Sequence, residues 1–159
     1  MSTGPSVAKT VWTGADFDAM DWHDNAIHAI APQPAPDYPG RLLLDLDYIV
    51  EWVAPESPAT TLSFWICPAT LVFDPASNLT TDIDLRGWGF RLSLDGITRS
   101  GPDGHGYFDW ALSGDNFTIA LRARGFTQYL RRPPIHSDGW YLEADERGGL
   151  SFDQHGYTL

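Results

Sequence analysis

The strongest constraint in this sequence is a period of two. Phe117, Ile119, Leu121 and Ala123 alternate with Thr118, Ala120, Arg122 and Arg124. Leu42, Leu44, Leu46 and Tyr48 alternate in the same way with Leu43, Asp45 and Asp47. Successive side chains of a strand leave on opposite faces, so a pattern of this kind marks a half-buried strand. A sustained helical period is absent. The best helix candidate is the stretch 75–85, where Ala76-Ser77-Asn78 would start a single turn.

Further strands follow from the same reading. Residues 25–31 suit a first strand, closed by a turn at Pro32, Pro34, Pro36 and Pro39, which cannot continue a ladder. One short helical turn is allowed within 12–23. Residues 60–73 are apolar on both faces, with Pro68 predicting a bulge or break. Trp88, Phe90, Leu92 and Leu94 alternate up to Asp95-Gly96, which predicts a tight hairpin into 97–99. Strands are also expected at 108–112, 126–132, 140–144 and 150–152. About ten short strands at hairpin spacing predict a mostly β fold, a single antiparallel sandwich or open barrel with little helix. The 15 glycines and 12 prolines supply the turns such a fold needs.

A chain of 159 residues is the size of one domain, here read as a loose tail over 1–7 and a β domain over 8–159. At that size a domain buries about 70% of its unfolded surface and needs no disulfide or metal to fold. The single cysteine, Cys67, lies in an apolar run and reads as a small buried hydrophobe. No stretch resembles a signal peptide or reaches the ~18 apolar residues of a membrane span, so a cytoplasmic protein is expected.

Charge is uneven. Residues 1–80 carry ten carboxylates against Lys9 and Arg41, and residues 81–159 carry eleven against eight arginines, within a net charge of −11. Such a chain is repelled by nucleic acid and by anionic membranes and attracts a basic protein partner. Solubility alone also accounts for the charge.

Three constellations are candidates for chemistry. Asp21-Trp22-His23-Asp24, with His28 beyond it, offers imidazole and carboxylate ligands that would suit a divalent metal if Asp45 came near. The spacing matches no established ligand motif, and a turn-and-cap role for His23-Asp24 is the alternative. Asp45 and Asp47 leave one strand face about 7 Å apart. They read as acid/base carboxylates, or as the wet face of a half-buried strand paired across to Arg122 and Arg124. Together with Glu51 these four form the expected binding surface. Arg122, Arg124, Arg131 and Arg132 with Tyr129 would suit an anion, or would offset the acidic first half. No nucleophile elbow or phosphate loop is present, so no catalytic residue and no cofactor are expected.

Over residues 21–84 the chain resembles a loose class of small bacterial β-rich proteins, some of them thought to be immunity-type. The resemblance rests on the step His23-Asp24-Asn25-Ala26-Ile27 and the strand Leu42-Leu43-Leu44-Asp45-Leu46-Asp47. It extends through Ala69-Thr70-Leu71-Val72-Phe73 to Asp82-Ile83-Asp84. It implies a β domain without established catalysis and carries over no site residues. The expected function is therefore that of a non-enzymatic binding domain with an acidic surface. A small-molecule carrier with an apolar cavity, or a metal-dependent hydrolase using His23 and Asp24, are the alternatives.

Overall fold

The computed structural model describes residues 4–37 and 39–159, with Trp88 described by its backbone alone. Two long strands organise it. β3 (Gly40–Val53) and β4 (Ser63–Ile83) form an antiparallel pair in which Leu44 faces Leu71 and Asp47 faces Pro68. The other edge of β4 is covered in turn by β8 (Phe117–Ala123), β9 (Phe126–Leu130) and β10 (Ile135–Ser137). β2 (Ala26–Gln33) adds to the free edge of β3, and β5 (Leu92–Ser93) adds to β2. On the far side β7 (Phe108–Gly114) pairs with β8, and β6 (Gly96–Ser100) with β7. β1 (Val11–Thr13) pairs with β9, just before a 3-10 turn at Gly14–Ala19.

The sheet is mostly antiparallel, ten-stranded and not closed, in the order β5-β2-β3-β4-β8-β7-β6. Its two end strands are nevertheless consecutive in the chain, separated by Leu94 and Asp95 alone. Leu94 N–H donates to Asn25 O at 2.9 Å, and Asp95 N–H donates to Ser113 O at 2.8 Å. The sheet thus curls until one segment touches both its edges.

The concave face is the main core. Leu42, Leu44 and Leu46 from β3 meet Cys67, Ala69, Leu71 and Phe73 from β4, with Ile119 and Leu121 opposite. Trp110 sits at the centre, its ring 5.3 Å from Phe73 and 5.7 Å from Phe126, and its indole N–H donates to Ala123 O at 3.0 Å. These aromatics pack edge to face against one another in the interior. Burial pushes the Cys67 thiol up to about 12, so it stays protonated and inert.

Several expected elements differ. The 75–85 stretch is no helix but the distal half of β4: beyond a bulge at Asn78 (φ +54°), Thr80 to Ile83 pair with Phe117 to Ala120. Pro68 does not break β4. Its carbonyl accepts from Arg131 N–H, which places the missing Pro N–H on the edge where β9 has ended and β10 has not begun, so no ladder bond is lost. Asp95-Gly96 makes no hairpin, because β5 and β6 pair with different strands. Residues 88–90 form a 3-10 turn, and the strands expected at 140–144 and 150–152 are absent; a short helix α1 (Ala144–Arg147) lies between them instead. Of the expected tail, residues 1–3 lie outside the described residues, while Val7 packs against the core. Among the described residues no helix is long and apolar enough to cross a membrane.

Candidate functional site

β3 is covered on both faces. Its convex face, which carries Leu43, Asp45, Asp47 and Ile49, lies under the C-terminal segment 131–153, which crosses it as a strap. Ile49, Phe64 and Ile66 pack with Leu142 from the strap, flanked by Ile135 and Trp140. α1 ends at Gly148 (φ +78°) and Gly149 (φ +79°), and Gly149 N–H returns to Ala144 O at 2.7 Å. Two successive left-handed residues suit glycine, and they turn the strap so that Arg147 and the Ser151 N–H both point at β3.

Under the strap Asp45 and Asp47 are fully buried and every oxygen is used. Asp45 takes a two-pronged pair from Arg147, Nη2 to Oδ1 at 2.6 Å and Nη1 to Oδ2 at 2.8 Å. It also accepts from Arg131 Nη2 and Ser151 N–H, each at 2.9 Å. Asp47 accepts from Arg147 Nε at 3.1 Å, Leu142 N–H at 2.7 Å and His28 Nε2 at 2.8 Å. Arg131 also donates to Thr70 Oγ1, and Arg147 to Gly149 O. Burial by itself would raise the Asp45 carboxyl, but the Arg147 hydrogen bonds and charge, the Ser151 N–H and Arg131 hold it below its ordinary value. Burial likewise opposes the Arg147 charge, and Asp45 and Asp47 overcome it and raise its pKa. Two buried carboxylates and two guanidiniums, joined by charge-assisted hydrogen bonds, make a neutral clamp that fastens the strap.

This corrects the expected binding surface. Asp45 and Asp47 are not on it, and their partners are Arg147 and Arg131 rather than Arg122 and Arg124. Arg122 pairs with Asp103 and Asp109, Arg124 lies over the Tyr107 ring at 4.8 Å, and Glu51 is exposed. The metal trio is not assembled either. His23 and Asp24 pair with each other at 3.3 Å on the surface, while Asp45 is enclosed under the strap. Among the described residues no three His, Cys, Asp or Glu side chains converge as metal ligands. Arg147 is the cluster member the sequence reading missed.

The most exposed feature is elsewhere. The distal end of β4 and the loop 84–91 form a tip beside the β7–β8 turn. Asn116 sets its shape: its side-chain amide donates to Asp84 O and to Arg91 O, each at 3.1 Å, tying both ends of the loop together. Asp84 N–H donates back to Asn116 O at 2.8 Å. The tip exposes Ile83, Leu85 and Phe90, the last 76% exposed. Phe90 also has φ +62°, a conformation that a bulky residue adopts only under strain. Beside it runs an open groove of about 740 Å³ lined by Asp82, Asp84, Asp115 and Arg86, the last held by Asp84 at 2.6 Å.

Compared with known proteins, the chain matches no family model, no curated protein and no solved structure.

Proposed function

We propose that this protein is a non-enzymatic binding domain whose contact surface is the acidic, apolar-centred tip at 82–91 and 114–118, and that its partner is a basic protein segment with apolar side chains. The observation that carries this reading is Phe90. A large aromatic side chain, three-quarters exposed and held at a positive φ, contributes nothing to folding that a glycine would not. Strain of that kind is kept where it serves recognition. Charge complementarity supplies the partner's sign. The clamp is neutral, so the whole excess of eleven negative charges lies outside it, and Asp82, Asp84 and Asp115 outnumber Arg86 around the groove.

The test uses a synthetic amphipathic peptide of lysine and leucine as probe. Wild-type protein should bind it with an association rate that falls with salt. Phe90→Gly leaves the net charge unchanged and relieves the backbone, so its melting temperature should hold or rise while affinity drops at least tenfold, as for an aromatic anchor worth about 2 kcal/mol. Unchanged affinity in Phe90→Gly would mean attraction by diffuse charge alone and would sink the proposal.

A further inference from the structure

Two of the four arginines that take no carboxylate among the described residues share one depression. Arg99, on β6, lies between aromatic rings, its guanidinium 4.4 Å from the Phe17 ring centre and 4.5 Å from that of Phe108. Its one protein hydrogen bond in that position is a long one, 3.4 Å to Gly14 O. Arg124 follows β8, stacked on Tyr107 and otherwise exposed. Among the described residues neither has a carboxylate oxygen within 4.0 Å. Both line an open depression of about 570 Å³ together with Phe108, Phe126, Thr127, Gly125 and Asp74. A Cβ placed on Gly125 would meet no atom within 4 Å, so the glycine leaves this space free.

We propose that this depression binds a small organic carboxylate, with Arg99 and Arg124 taking the carboxylate and Phe108 and Phe126 contacting an apolar body. Guanidinium forks match a carboxylate in geometry, and a cation already stripped of water by aromatic rings gains more from an anion than one in solvent. The apolar lining selects an organic acid over an inorganic ion. Asp74 on the rim opposes the ligand and keeps its affinity modest. The site is independent of the proposed contact tip, which lies at the other end of β8, roughly 20 Å away at the usual rise per residue.

The experiment is an NMR titration of the isotope-labelled full chain with benzoate, acetate and inorganic phosphate as separate probes. Benzoate should give saturable shifts at the amides of Gly14, Gly125 and Thr127, with acetate and phosphate about tenfold weaker. Arg124→Gln, at an exposed position, should melt like the wild type and bind benzoate about tenfold more weakly, the usual worth of one charge-assisted hydrogen bond. Gly125→Leu should fold normally and abolish the shifts by filling the depression, and Asp74→Asn should strengthen binding. No saturable shift at those three amides, or wild-type affinity in Arg124→Gln, overturns the site. Phosphate or acetate matching benzoate overturns the assignment to an organic carboxylate, and weaker binding by Asp74→Asn overturns a purely anionic ligand.

Discussion

Asp45 shows how much a single residue's surroundings decide. The alternation of β3 is legible in the sequence and correct in parity, since Leu42, Leu44 and Leu46 do face the core. Exposure of the opposite face does not follow from parity. Leu43 and Ile49 share that face with Asp45 and Asp47, and both are buried. A strand flanked by leucine on both faces was the available signal that its aspartates are covered. What the pattern could not supply is the partner, because Arg147 is about a hundred residues away in a Gly-flanked segment with no periodicity. The expected consequence is a large, one-sided cost. Arg147→Met keeps the apolar stem but leaves buried Asp45 with Arg131 as its one guanidinium and buried Asp47 with none, which should destabilise the protein by roughly 3–5 kcal/mol in urea unfolding. A loss below about 1 kcal/mol would show the cluster to be wet and loosely held.

At the scale of elements, long-range pairing overrides local preference. Residues 75–85 contain Ala76, Ser77 and Asn78, which suit a helical start, yet Thr80, Thr81 and Ile83 are β-branched, and a partner strand lies alongside. The strands at 42–48, 108–112 and 117–123 were readable because each carries its full alternation. β1 and β10 were not, since three residues contain no period to detect, and of the alternating stretch 88–94 only Leu92–Ser93 is a strand. β5 has its place because Gly114 leaves room for it: a Cβ there would run into the Ser93 carbonyl and the Phe117 ring. Gly114→Ala should therefore cost about 1–3 kcal/mol through overpacking. Its hydrogen-exchange loss should centre on the amides of Leu94 and Asp95, where the two sheet ends meet. Protection there equal to wild type would separate the curl of the sheet from that glycine.

For the whole molecule, two electrostatic effects act in opposite directions and separate by pH and salt. The net charge of −11 repels itself, and screening should relieve it, so the melting temperature at pH 7 should rise with added salt. The clamp behaves differently because it is buried and barely screened. The folded-state pKa of Asp45 lies below its ordinary value of 3.8, so the unfolded chain binds the proton more readily. The stabilisation from Asp45 is then complete above the ordinary value and is lost as pH falls through the lower folded one. Acid unfolding should steepen below about pH 4, at up to 1.4 kcal/mol per pH unit for each carboxyl of this kind. In Arg147→Met the partner that depresses Asp45 is gone, so the variant should start less stable and show a shallower acid limb, while its response to salt at pH 7 stays that of the wild type. Parallel acid limbs in the two proteins would mean that surface carboxylates, and not the clamp, set the acid limit of this fold.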